Sequence, residues 1–505
     1  MNSIHQTLAA FTPDPNPSSL GAGLSAMAAA KADALAVTCA DDTRGWRDLH
    51  RRTNRMARGL LARGVHHGDF LTIALPNGIA FVEAFHAAWK IGAVPQPVSW
   101  RLPLAEIKAI IDLANSPIVI CDAPLDIGRP VVATADLLNA SDDESDLPDV
   151  ISPSWKAPTS GGSTGRPKLI VAGQPGVVMN VAAARMRITP DDVVLMPGPL
   201  YHNGPIVTVF PALMVGAPVV IMPKFDAEET LRLIEKHRAT WLYLVPTMMS
   251  RIWRLPEEVR KRNDLSSLRT VWHLAAPCPP WLKEAWIDWL GPDVLWELYG
   301  GTEGVAATII SDREWLAHRG SVGRPLLNSE IEAFSADGTM LPRGEVGEIF
   351  MRQKEGLPAT YRYLGAETRQ LEGRWETIGD IGWVDEDGYL YLADRRTDMI
   401  LVGGANVYPA EVEAAIDEHP LVQSSCVIGL PDDDLGSRVH AIVQPKDGLT
   451  RADLEAHLAA RLVRYKCPRS IEFVAEPLRD DAGKVRRSQL REERMTTPSS
   501  RSMGS

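Results

Sequence analysis

The sequence predicts an α/β protein: a large multi-subdomain N-terminal domain, layered α/β with a small β subdomain, followed by a smaller α+β C-terminal domain. Three observations predict it. Apolar β-rich runs alternate with amphipathic stretches through most of the chain, the texture shifts to short strands and Asp-Gly turns after about Asn328, and a compact strand–helix pattern follows Arg395. At 505 residues the chain is too long for one core.

Taken in order, the runs at 70–75, 118–121, 193–196, 218–222, 241–245 and 271–274 read as strands. The segments 49–63, 79–91, 103–113 and 227–237 carry the helical period between them, which implies βαβ units. Beyond Asn328, shorter strands at 331–334, 347–351 and 388–392 are joined by turns such as Asp337-Gly338 and Asp387-Gly388. Strand 399–402 then leads through Gly403-Gly404 to a helix opening near Pro409, with strands at 425–428 and 439–445 and a helix at 451–462. The polar run Asp394-Arg395-Arg396-Thr397-Asp398 follows a strand and suits a boundary. The expected division is therefore 1–394, a hinge at 395–398, and a C-terminal domain at 399–493. The Ser-, Thr- and Pro-rich tail, 494–505, is expected to be disordered.

Composition narrows the function classes. Hydrophobic residues at 45% and charged residues at 23% fit an ordinary soluble globular protein. A net charge of −11 disfavours general nucleic-acid binding while allowing a local basic nucleotide pocket. Cys39, Cys121, Cys278, Cys426 and Cys467 are scattered without a CxxC pair, which argues against disulfides or zinc and for a reducing, cytoplasmic setting. No apolar run is long enough to span a bilayer, and nothing before the Ala-rich 22–37 stretch reads as a secretory n-region.

The clearest chemical signal is Ser160-Gly161-Gly162-Ser163-Thr164-Gly165-Arg166-Pro167-Lys168, with three glycines, three hydroxyls and a terminal lysine in nine residues. Glycines let backbone N–H groups approach phosphate oxygens, hydroxyls donate further bonds, and Lys168 supplies charge. It is not a Walker loop, because Gly165 is followed by Arg166-Pro167 rather than Lys-Ser/Thr. Four further stretches accompany it: Tyr299-Gly300-Gly301-Thr302-Glu303, Ile378-Gly379-Asp380, Gly403-Gly404-Ala405-Asn406-Val407-Tyr408-Pro409-Ala410-Glu411-Val412-Glu413 and Gly483-Lys484.

Together these resemble the signatures of the ANL superfamily of acyl-CoA synthetases, adenylation domains and luciferase-type enzymes, over about 40–493. The resemblance implies an AMP-forming acid–CoA ligase using ATP, Mg2+ and coenzyme A, with 1–394 as the adenylate-forming domain and 399–493 as a mobile lid. It assigns Ser160, Gly161, Gly162, Ser163, Thr164, Gly165 and Lys168 to the nucleotide phosphates. Ala275, Ala276 and Pro277 pack against adenine and the acyl group, Tyr299, Gly300, Gly301 and Thr302 complete the nucleotide site, and Asp380 and Arg395 reach the ribose. Glu303 and Thr164 are the implied magnesium ligands. His202 is implied to gate the acyl site, and Thr302, Glu303, His202 and Lys484 make up the implied catalytic set. Gly403 and Gly404 line the implied pantetheine tunnel. Thr397 stands at the hinge position where Lys or Asp is usual, and Ile378 replaces a usual threonine.

Catalysis on this reading is positioning and electrostatics, with no nucleophilic triad. The implied partner is a small carboxylic acid, with a homodimer as the default assembly. The 199–205 stretch and the phosphate loop look most like ligases for bulky alicyclic acids, bile, steroid and diterpenoid acids among them; fatty and aryl acids stay open. Two other readings remain: an adenylation enzyme loading a carrier protein, which lacks its usual acidic residue within 199–205, and a nucleotide- or acyl-adenylate-binding sensor.

Overall fold

A computed structural model of the chain describes residues 16–161, 167–326, 328–403, 405–432, 434–480 and 483–496. Its centre is a parallel run of strands, Leu295–Gly300, Thr270–Leu274, Trp241–Leu244, Val194–Met196, Val219–Ile221 and Leu35–Cys39, in that spatial order. These strands read as near-continuous apolar runs because helices cover both faces. Ala227–His237 follows the amphipathic expectation to the residue, and Asp226 caps its N-terminus by accepting from Glu229 N at 2.8 Å.

A second parallel sheet, ordered Val94–Pro97, Phe70–Ile73, Val119–Ile120, Val131–Val132, lies beside the first. Ile79–Lys90 is buried along almost its whole length. Phe85 stacks on Phe210 at 4.6 Å, and Trp89 meets the same ring edge-on at 4.9 Å. A helix clad in apolar residues all round is the expected solution for a position with protein on every side.

The small β subdomain expected after about Asn328 is present, and strands that precede it join it to the parallel core. Ala307–Ser311 and Ser321–Pro325 pair antiparallel after Leu295–Gly300, and Ser321–Pro325 goes on to pair with Leu390–Arg395, so the parallel core and the β unit form one 15-stranded sheet. The register shifts between Ser321 and Gly323. Gly323 has φ +101°, and a Cβ there would come within 2.3 Å of Ile309 O. That bulge bends the ladder and lets the unit keep its own small core of Val322, Ile331, Ile349, Met351 and Leu390.

After Arg395, the hairpin Ile400–Val402/Ala405–Val407 precedes helix Pro409–Asp417. Val422–Asp432 pairs antiparallel with Gly436–Pro445, which pairs parallel with Ser470–Phe473. Val407, Val412, Ile416, Val427, Val443 and Leu454 form a core distinct from that of the large domain. The helix Arg487–Thr496 runs past the expected start of the disordered tail at 494. Arg494 clasps Glu472 at 2.6 and 2.9 Å, which pins that last turn; 497–505 lie outside the described residues. No helix among the described residues is long and apolar enough to cross a membrane.

Candidate active site

Ligands of open parallel sheets sit beyond the carboxyl ends of the strands. Here those ends, Val245, Ala275 and Gly300, open on a cleft of about 3260 Å³ that the C-terminal unit closes from the other side. Ala275 follows strand Thr270–Leu274 with φ +73°, an uncommon conformation for a residue with a Cβ and a strain typical of ligand-facing turns. Ala276 and Pro277 line the cleft beside it.

Two acidic clusters face the cleft. Strand pairing sets Asp380 opposite Arg395, and the two side chains meet at 3.4 Å. Tyr299, at the end of its strand, donates its hydroxyl to Asp380 at 2.6 Å. Burial holds the Asp380 carboxyl above the usual range, with Arg395 and the tyrosine opposing it. In the second cluster Glu303 accepts from the Tyr363 hydroxyl at 2.6 Å and meets Lys168 at 3.5 Å, and Lys168 lies 4.0 Å from the Tyr363 ring centre. Thr302 also lines the cleft. Gly301 is tightly enclosed: a Cβ there would stand 2.7 Å from Glu303 Oε2.

His202 precedes helix Asn203–Val215 and packs against Tyr201 at 4.5 Å. Burial, and then the charge of Lys484, push its imidazole down to about 3, so it is neutral across the working range. Its Nε2 is buried with no protein partner among the described residues. His202 is thus a neutral hydrogen-bonding wall and contributes no acid limb. We expect the pH–rate profile to show no ionisation from His202 between pH 5 and 9, checked by comparing wild type with His202→Gln.

Lys484 arrives from the C-terminal unit. Its backbone is tied to Asp480 in both directions, at 2.8 and 2.9 Å. Its side chain is exposed and lines the cleft. Burial lowers its ammonium, while Asp480 and Glu303 favour the charged form and Arg395 opposes it. Gly483, at φ +75°, passes so close to Thr247 that a Cβ would lie 2.4 Å from the threonine hydroxyl. Arg254 adds two bonds across the same seam, to Gln423 O at 2.6 Å and Asp417 O at 2.9 Å, and Arg486 pairs with Glu106 at 2.9 Å.

The structure therefore gathers Lys168, Ala275, Ala276, Pro277, Tyr299, Gly300, Gly301, Thr302, Glu303, Asp380, Arg395, Thr397, His202 and Lys484 around one cleft. It does not bring Gly403 there. That glycine turns the 400–407 hairpin at φ +56° and donates its N–H to Leu435 O at 2.9 Å, away from the cleft lining. Ser160 and Gly161 are described in their backbone alone, and Gly162, Ser163, Thr164, Gly165 and Gly404 lie outside the described residues. Sequence reading missed Tyr363, Lys156 and the hinge-side set in which Arg487 holds Asp398 at 3.0 Å and Glu413 at 2.6 Å. Among these, only Asp398, in the hinge run, and Glu413, at the end of the Gly403 motif, sat within a recognised stretch.

The AMP-binding enzyme family model matches residues 24–361, and its C-terminal domain model matches 411–484. The chain belongs to the AMP-binding enzyme family. It is an AMP-forming acid–thiol ligase of the ANL superfamily. A feruloyl-CoA synthase of Amycolatopsis sp is 33% identical over 458 residues, covering 88% of this chain and 92% of the relative. A long-chain-fatty-acid–CoA ligase of Mycobacterium tuberculosis, FadD13, is 30% identical with the same coverage. Among solved structures, o-succinylbenzoate CoA synthetase of Bacillus subtilis in complex with ATP and magnesium is 26% identical, with TM-score 0.79 over 94% of this chain and 99% of that one.

Proposed function

We propose that this enzyme activates a carboxylic acid with a large hydrophobic body and passes the acyl group to coenzyme A. The reading rests on one observation above the rest: a lysine of the C-terminal unit, Lys484, stands in the cleft with the Tyr299–Asp380–Arg395 and Glu303–Lys168 clusters.

The chemistry follows from the charges. A carboxylate is a poor electrophile, so its oxygen bonds to the α-phosphorus of ATP while the bond to pyrophosphate breaks. A thiol then attacks the acyl carbon and AMP leaves. Lys484 and Lys168 would offset negative charge that builds in the first transfer, and fixed donors in a water-poor cleft are effective at that task. Asp380 would accept ribose hydroxyls, with Tyr299 and Arg395 holding its carboxylate in place. The donor set suits magnesium: Glu303, facing the cleft, is a hard oxygen ligand that would hold the ion. When bound, that ion would neutralise phosphate charge.

For the acid, Val207, Leu274, Ala275, Ala276, Pro277 and Ala307 offer the cleft an apolar, small-residue lining that favours a bulky body over a polar one. Terpenoid, steroid, fatty and aryl acids all carry such a body. A pyrophosphate-release screen with fatty, hydroxycinnamic, steroid and diterpenoid acids tests the class; highest kcat/KM on a small polar acid would overturn it. Asp380→Asn is expected to raise the KM for ATP about 10-fold or more and leave the KM for the acid within twofold, because a charge-assisted bond is lost only on the nucleotide side.

A further inference from the structure

Of the cations around the cleft, Lys168 is matched by Glu303 and Arg395 by Asp380. Among the described residues Lys156 has no such match. It lies before strand Thr159–Gly161 and is 4% exposed. Its ammonium donates to the amide oxygen of Asn203 and sits 4.6 Å from the Trp155 ring centre. Among the described residues it forms no ion pair within 4 Å. An ammonium carries three donors, and among the described residues Lys156 has a single amide acceptor in a buried place.

The neighbourhood makes the arrangement costlier still. Asn203 is the first residue of helix Asn203–Val215, whose N-terminal end carries partial positive charge and repels a cation. Glu303, from the loop after strand Leu295–Gly300, favours the charged form; His202, before the same helix, is neutral. Burial outweighs Glu303 and pushes the ammonium down to about 7. A buried cation beside a positive helix end, both lining a cleft with His202 and Glu303, is a place prepared for an anion.

We propose that Lys156 binds the carboxylate of the acid substrate at the N-terminal end of helix Asn203–Val215. The inference rests on the ligase reading above and extends it to the acid's reactive group. The arriving carboxylate supplies the missing counter-charge, and its free oxygen bonds to the α-phosphorus as the bond to pyrophosphate breaks. The acyl group then carries no carboxylate charge, so the lysine's hold weakens before the thiol attacks.

The test is the pH dependence of steady-state constants for wild type, Lys156→Met and Lys156→Arg, using an acid that wild type adenylates. In wild type the acid binds the protonated lysine, so its KM is expected to rise above about pH 7 while the KM for ATP stays level. Lys156→Met should raise the acid's KM roughly 10- to 100-fold at pH 7 and abolish its pH dependence. Its Tm should be unchanged or higher, since an unpartnered buried charge has been removed. Lys156→Arg should keep the acid's KM level to pH 9, and this variant decides the matter if the methionine variant fails to fold. An unchanged acid KM in folded Lys156→Met, or a parallel rise in the KM for ATP, would overturn the proposal. Absence of pyrophosphate release by wild type with every acid tried would instead remove the ligase reading itself.

Discussion

Lys484→Ala is expected to lower acyl-adenylate formation by about 10²–10³-fold, the usual cost of removing a donor aimed at developing transition-state charge. The lysine's position carries the expectation. It is held by its backbone at Asp480, surrounded in the cleft, and close enough to His202 and Glu303 for its charge to be felt at both. Thioester formation from supplied acyl-adenylate should retain most of its rate, because that step develops charge on the acyl oxygen and the leaving AMP rather than on pyrophosphate. Rapid-quench measurement of the two half-reactions separates them. Equal losses in both would argue that Lys484 holds the fold of the cleft rather than the first transfer.

Gly403→Leu is expected to do the reverse, sparing pyrophosphate release and lowering thioester formation by about 10²-fold or more. In the observed arrangement Gly403 lies outside the cleft while Lys484 lies inside it, so a leucine there leaves the first half-reaction's groups untouched. The second half-reaction would require the C-terminal unit to turn about the segment holding Thr397 and present the 400–407 hairpin instead, a hinge motion over a few residues. The substitution also strains a φ of +56° and crowds Leu435, whose Cδ2 would lie 3.1 Å from the new Cβ. Gly403→Ala shares the strain without the bulk and serves as the control. Thioester formation in the leucine variant matching that of the alanine variant would remove the tunnel role.

The parallel core was legible because its strands are buried on both faces and its helices are amphipathic: strands Trp241–Leu244 and Thr270–Leu274 and helix Ala227–His237 emerge within a residue of expectation. What was not legible is non-local. Ser321–Pro325 joins two units into one sheet through pairings with segments before and after it, and neither pairing leaves a local signature. The recognised motifs likewise name residues without their partners. Tyr299 was read as part of the nucleotide site, but nothing in its motif names Asp380, 81 positions further along the chain, as the acceptor of its hydroxyl. Tyr363 belongs to no motif and is found only through its contacts with Glu303 and Lys168. Lys156 shows the same limit more sharply, since a lone lysine before a glycine loop reads as solvated until its burial is known.

In the proposed reaction the acid's own oxygen is passed to AMP. Turnover of an acid labelled with ¹⁸O in its carboxylate, in the presence of ATP, magnesium and coenzyme A, tests this directly by mass spectrometry of the products. One labelled oxygen in the phosphate of AMP, with unlabelled pyrophosphate, is the predicted result. Label in inorganic phosphate with ADP as co-product would contradict the account.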